Sequence, residues 1–294
     1  MENLQFLFKD PITQQSELSP GYDDHASDVW LVKTENEEVV VRTTRMLERP
    51  NNDFWYGCNK LFGVDPRNVH EMEYINNTLR KFSTIPIPKV IRKGSMNERQ
   101  FVVVEKLEGG VCRSFDDQPQ SLIESLGEGI ASIHKYKSDY VGTASGRFRT
   151  PIKNFHDELI ATISELARIY YKNDIQAQKL LPKMIDMLKA LPTPTHSSFV
   201  LVDMDPSQFI TNSEVITGLV DTEVYVLGPR ELDFIGLEYL MNKHSADIFK
   251  NAYHKHLSLP DLELYRVPYR FFYRLLRVQG SVDWDEWLNH PKLF

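Results

Sequence analysis

Between Phe199 and Asp233, in FVLVDMDPSQFITNSEVITGLVDTEVYVLGPRELD, two apolar runs each deliver an aspartate. Phe199-Val200-Leu201-Val202 leads into Asp203, and Val215-Ile216-Thr217-Gly218-Leu219-Val220 leads into Asp221. Gln208 to Thr211 reads as a strand and Asn212-Ser213-Glu214 as the turn into the next one. Paired strands lie about 5 Å apart, so a hairpin here gathers the carboxylates of Asp203 and Asp221 and the amide of Gln208 around one small site. Two carboxylates and an amide oxygen suit a hard divalent ion such as Mg²⁺, which commonly works with a bound phosphate. Asp at strand ends is also common in plain turns, so spacing alone leaves both readings open.

The chain has 294 residues, enough for one large domain or two lobes. Hydrophobic residues make up 41% and charged residues 26%, ordinary values for a globular protein. A net charge of −7 gives no footprint for nucleic acid. Cys58 and Cys112 are the only cysteines, which argues against a disulfide scaffold and fits a reducing cytoplasm. The opening MENLQFLFKDPITQQ lacks a basic region followed by a long apolar stretch, so no signal peptide is expected. No apolar run reaches the length of a bilayer span, and no membrane partner is expected.

The first third is strand-rich. Ser27 to Thr34 and Glu38 to Arg42 read as a hairpin about the turn Glu35-Asn36-Glu37. Arg49 to Asp53 is a loop signal, and the aromatic Phe54 to Gly63 segment fits a docking surface or a packing element. Asn68 to Lys81 has helical spacing and ends before Ile85-Pro86-Ile87-Pro88. Gln100 to Glu105 is a buried strand. Helices come next: one through Leu122, Leu126, Ile130 and Ile133, one capped by Asn154, and others over Leu180–Leu191, Leu232–Lys255 and Leu262–Val278. The order predicts two unequal lobes, residues 1–104 and 105–294, joined near Glu105 to Gly110.

Several residues carry candidate chemistry. Gly21 to Ser27, at the mouth of the first hairpin, can cover phosphates with backbone N–H groups, or be an ordinary turn. Arg42 shares a strand face with Val40 and can point a cation into a cleft, or lie solvated at an edge. Glu71 and Glu73 are placed so that one can orient Arg42 through an ion pair. Asp203-Met204-Asp205 also matches the Asp-x-Asp of haloacid-dehalogenase-type phosphatases, which requires a doubly wound domain after it. The acidic, aromatic Asp283 to Trp287 can meet a cation, or form a helix with its tryptophans turned inward. The cysteines have no His in metal-ligand spacing, so zinc is not expected.

Together these pieces resemble the aminoglycoside phosphotransferase family, a branch of the protein-kinase-like fold that includes choline, fructosamine and macrolide kinases. The family's His-Gly-Asp-Leu-His-Pro-x-Asn maps onto Leu201 to Gln208, and its Ile-Asp-x-Glu onto Val220 to Glu223. Gly228 to Asp233 resembles its Gly-Asp-Pro-x-x-Asp-Leu stretch, and Leu126 to His134 its Leu-Ala-x-Leu-His helix. The resemblance implies an α+β, protein-kinase-like fold. A small N-terminal antiparallel-sheet lobe with one helix would be followed by a larger, mainly helical lobe with an inserted β-hairpin.

The resemblance further implies transfer of the γ-phosphoryl group of ATP or GTP to a hydroxyl of a small molecule, aminoglycoside-, macrolide- or choline-like, with cationic acceptors among the candidates. Asp203 would orient or deprotonate the hydroxyl, and Gln208 and Asp221 would hold Mg²⁺. Arg42, steadied by Glu71, would bind the α- and β-phosphates, with the Gly21–Ser27 loop over them. The Phe101–Gly109 segment, through Glu105 and Leu107, would hold the base by backbone groups. Three departures stand out: Leu201-Val202 replaces His-Gly, Gln208 replaces Asn, and Asp205 replaces the second His. They keep a nucleotide-binding pseudokinase with a regulatory role as the alternative, with an Asp-dependent phosphatase behind it.

Overall fold

The computed structural model describes residues 2–18, 26–49 and 51–294. Its N-terminal half holds strands β1 (Gln14–Glu17), β2 (Ser27–Lys33) and β3 (Glu38–Thr44). Helices α1 (Asp53–Phe62) and α2 (Glu71–Leu79) come next, then β4 (Val90–Met96) and β5 (Arg99–Glu105). The five strands form one antiparallel sheet in the order β1-β2-β3-β5-β4.

The expected hairpin is β2–β3, with Trp30 opposite Val41 and Val32 opposite Val39. Thr34 Oγ1 accepts from the amides of Asn36 and Glu37 and fixes its turn. The apolar run in β5 reflects a sheet covered on both faces. Phe101 and Val103 pack with Leu4, Leu7 and Phe8 of the N-terminal segment, while Val102 and Val104 pack with Val69 and Met72 beside α2.

The C-terminal half begins with β6 (Gly110–Val111) and α3 (Gln120–His134). A hairpin, β7 (Tyr140–Thr143) and β8 (Arg149–Pro151), precedes α4 (Phe155–Ile169) and α5 (Ile175–Ala190). Then come β9 (Ser198–Leu201), β10 (Phe209–Thr211), β11 (Ile216–Leu219) and β12 (Tyr225–Gly228). The chain ends with α6 (Glu231–Glu238), α7 (Lys243–His254), α8 (Arg266–Leu276) and α9 (Trp284–Leu288). The expected hairpin is β10–β11, joined by β6, while β9 and β12 belong to a second sheet ordered β8-β7-β12-β9. All pairings among the described strands are antiparallel, so Asp203 does not open the doubly wound domain that a haloacid-dehalogenase-type phosphatase requires.

The aromatic segment after β3 is the largest departure from the sequence reading. It forms α1, capped by Asn52, whose side chain accepts from Trp55 N, and ended by Gly63 in the left-handed conformation at φ 73°. Trp55, Cys58, Leu61 and Phe62 line its buried face. That face packs on α4 and α8 of the C-terminal half rather than on the sheet. Contact with α8 is close at Gly57, where a Cβ would lie 2.3 Å from Leu276 Cδ2. Polar bonds fix the docking: Tyr56 Oη donates to Glu165 at 2.6 Å, and Asp53 accepts from Tyr171 Oη and pairs with Arg277 at 2.9 Å.

The helix expected over 232–255 is two helices, because Asn242 breaks the run and caps α7 by accepting from Ser245 N. Trp284 and Trp287 of α9 are 4% and 1% exposed, so this segment turns its rings inward. The cation over Trp284 is the chain's own Arg274, 4.7 Å from the ring centre. No helix among the described residues is long and apolar enough to cross a membrane.

Candidate active site

Strand β9 carries the chain to Asp203, and its end is anchored from below. Asp233, 1% exposed, accepts from Leu201 N at 2.8 Å through Oδ1. Its Oδ2 meets His134 Nε2 at 3.0 Å, and His134 Nδ1 meets Tyr253 Oη at 3.0 Å. The loop is thus held through the main chain of residue 201, a contact for which the side chain there is immaterial.

After Asp203 the chain makes a single 3-10 turn, Pro206–Gln208. Asp205 caps it by accepting from Ser207 N at 2.8 Å, and Gln208 Oε1 accepts from Asp205 N at 2.9 Å. This reciprocal capping box is legible as Asp-x-x-Gln in the sequence. Gln208 Nε2 also donates to the Asp203 carbonyl at 2.7 Å. The longer side chain of Gln is what spans the turn, and its oxygen keeps a second lone pair. From Gln208 the chain enters β10, and Val220 N donates back to Gln208 O at 2.8 Å. The pairing that the two apolar runs predict therefore does bring Asp203, Gln208 and Asp221 together.

Arg42 reaches this group from β3. Its Nη2 donates to Asp221 Oδ1 at 2.5 Å and to Glu223 Oε1 at 2.6 Å. Ser27 Oγ donates to Glu223 at 2.9 Å and accepts from Arg42 at 3.2 Å. Arg42 and Glu223 side chains are each 12% exposed, while that of Asp221 is 36% exposed. The ion pair expected between Arg42 and Glu71 is not formed. Glu71 pairs with Arg147 of the β7–β8 turn at 3.2 Å, because α2 turns that side chain towards the C-terminal half. Arg42's second carboxylate is Glu223, which closes the Ile-Asp-x-Glu resemblance but carries no assigned role in the sequence reading.

The electrostatics come from this count of charges. Asp221 and Glu223 share the Arg42 guanidinium, and Asp203 and Asp205 add further negative charge close by. Burial first, then repulsion from Asp221, Asp205 and Glu223, pushes Asp203 up to about 7. Asp221 is also raised, by burial above all, with Arg42 opposing the shift. For Arg42, burial works against the charge, but Asp221 and Glu223 more than offset it and hold the guanidinium charged.

At the junction of the halves, Glu105 Oε2 accepts from Lys89 N at 2.9 Å and pairs with Arg80 at 3.3 Å. Leu107 packs against Gly218, where a Cβ would lie 2.4 Å from Leu107 Cδ1. Gly21 lies outside the described residues. Cys58 and Cys112 are free and buried, and burial raises both thiols.

A model described as the phosphotransferase enzyme family matches residues 18–265. The chain belongs to that family. It is thereby a phosphotransferase with the protein-kinase-like fold. A GDP complex of an aminoglycoside 2'-phosphotransferase-IIIa mutant superposes with a TM-score of 0.65 at 16% identity, covering 94% of this chain and 86% of that one. A putative fructosamine-3-kinase from Haemophilus somnus 129PT gives a TM-score of 0.61 at 16% identity, covering 97% and 91%. Macrolide 2'-phosphotransferase MphH from Brachybacterium faecium gives 0.60 at 13% identity, covering 95% and 93%. No curated protein matches the sequence.

Proposed function

We propose that this phosphotransferase moves the γ-phosphoryl group of ATP or GTP to a hydroxyl of a small-molecule acceptor, of an aminoglycoside-, macrolide- or choline-like kind. The observation that carries this reading is the convergence of Asp203, Gln208, Asp221 and Arg42 at one cleft. The similar aminoglycoside phosphotransferases were solved with GDP in one case and AMP-PNP in another, which leaves both nucleotides in play.

The donor set fits Mg²⁺. A carboxylate and an amide oxygen are hard donors, and Mg²⁺ commonly takes one or two protein ligands beside phosphates. The excess negative charge that raises Asp203 and Asp221 is what a divalent cation would relieve. Gln208 and Asp221 would hold the ion, which when bound supplies charge neutralisation at the phosphates.

The chain's own groups do the rest. Arg42 would exchange Asp221 for the α- and β-phosphates while Glu223 keeps it aimed. The Gly21–Ser27 loop would lie over the phosphates, and main-chain groups from Glu105 to Leu107 would hold the base between residues 1–104 and 105–294. Asp203 would align the acceptor hydroxyl and take its proton. Burial, the main cause of its raised value, makes the Asp203 carboxylate a stronger base than an exposed one. Positioning and electrostatics supply most of the rate in such a reaction. Two free thiols support a cytoplasmic setting.

A pseudokinase with a regulatory role is the second reading. It is favoured by Arg42 lying on Asp221 at 2.5 Å, the carboxylate that the metal needs. Calorimetric titration of ATP and GTP with and without Mg²⁺, on wild type and Asp221→Ala, tests both readings. Mg²⁺-dependent binding lost in the variant supports the site, and an acceptor screen controlled by Asp203→Ala then tests transfer. Binding without transfer to any acceptor favours the pseudokinase, and absence of binding by either nucleotide overturns both readings.

A further inference from the structure

Asp221 has a left-handed backbone, φ 59° and ψ 49°, which is costly for a residue with a Cβ although Asp tolerates it better than most. The segment after it, Thr222–Val224, is a single 3-10 turn, too short to hold itself in place. Its support comes from outside. Leu219 N donates to Pro86 O at 2.9 Å before the turn. Within the turn, Thr222 Oγ1 donates to Asn76 Oδ1 at 2.5 Å, and Asn76 Nδ2 donates to Pro88 O at 2.8 Å.

Asn76 is 0% exposed and Thr222 is 1% exposed. Asn is a poor residue for a helix interior, and its buried amide costs free energy unless both ends are bonded. A residue that served only to pack α2 would be apolar, like Met72 and Leu79 on the same face of that helix. Asn76 instead ties α2 to the residue that stands between Asp221 and Glu223, the two carboxylates on Arg42. Glu71, on the same helix, takes no part in this contact.

We propose that Asn76 and Thr222 are positioning residues that set the aim of Asp221, so that α2 controls the metal-holding carboxylate through a buried neutral hydrogen bond rather than through an ion pair to Arg42. The inference rests on the proposed nucleotide site. Its consequence is specific: the bond governs the metal-dependent part of nucleotide affinity and not the part supplied by the base.

The test is calorimetry with whichever of ATP and GTP binds, with and without Mg²⁺, on wild type, Thr222→Val, Thr222→Ser and Asp221→Ala. Thr222→Val is expected to lower affinity about tenfold in Mg²⁺, the scale of one buried bond broken with its partner left unsatisfied, and to leave metal-free affinity within about twofold. Thr222→Ser keeps the hydroxyl and should bind like wild type. If Thr222→Val does not fold, Thr222→Cys, similar in size but a weak donor, takes its place. Unchanged Mg²⁺-dependent affinity in the Val or Cys variant, with that dependence lost in Asp221→Ala, overturns the positioning role. Equal losses with and without Mg²⁺ overturn it too, since they mark a structural effect. Wild type without Mg²⁺-dependent binding fails the underlying site, and the inference falls with it.

Discussion

Arg42 and Glu223, 181 positions apart in the chain, meet at 2.6 Å, and Ser27 bonds to both. Glu71, on the helix beside them, lies on Arg147 instead. The carboxylate that steadies Arg42 therefore comes from the same turn as Asp221. Glu223→Gln is expected to lower kcat/KM about tenfold or more, since it removes a charge-assisted bond from a nearly buried guanidinium. Glu71→Gln is expected to stay within about twofold, as for a partly exposed pair. Steady-state kinetics on an identified acceptor, or nucleotide affinity before one is found, separates the two.

Asp203 gives a pH signature. Its carboxyl is raised to about 7 in the folded chain, against an ordinary value near 3.8. Between those values the unfolded chain binds fewer protons at this group than the folded one, so its contribution to stability falls as pH rises from 4 to 7. Thermal melts of the ligand-free protein across that window should show this fall, and Asp203→Asn should flatten it. If Asp203 is the proposed base, the sign reverses for catalysis: its base form grows as pH rises, and the rate should rise with it until the carboxyl is fully ionised.

Asp233 holds both Leu201 N and His134 with no exposure to solvent. Asp233→Ala removes both acceptors and leaves Leu201 N and His134 Nε2 without this partner. A loss of about 2–4 kcal/mol of stability is expected from a broken buried network. Urea unfolding measures it, and a loss under about 0.5 kcal/mol, typical of surface changes, would show that the anchor is dispensable.

Gly57 lies where α1 meets α8, and an added methyl would collide with Leu276. Gly57→Ala is expected to cost about 1–3 kcal/mol by overpacking. It should also raise protease cleavage within 45–52 and 63–70, the segments flanking α1, while the sheet stays folded by circular dichroism.

The parts legible in the sequence are those with a local period or a local motif. The β2–β3 hairpin, the β5 run, α3 and the gathering of Asp203, Gln208 and Asp221 all arise from alternation, helical spacing and turn residues. Asp205-x-x-Gln208 is legible as a capping box too, though the resemblance to a metal-binding Asn points to the side chain's other use. What is not legible depends on partners far away in the chain. Nothing local says that Glu71 will face Arg147 or that Arg42 will find Glu223. The α1 segment defeats pattern reading for the same reason. Its aromatic face is explained only by α4 and α8, roughly 100 positions on and beyond.

The docking of α1 has a mechanical consequence. The chain passes from the sheet to the helical half at Arg45–Asn52, returns at Gly63–His70, and crosses again after Glu105. The two halves are thus strung together at separate points, like a door on more than one hinge. A change in the spacing of the two parts therefore has to be accommodated at three separate stretches of chain rather than at one linker.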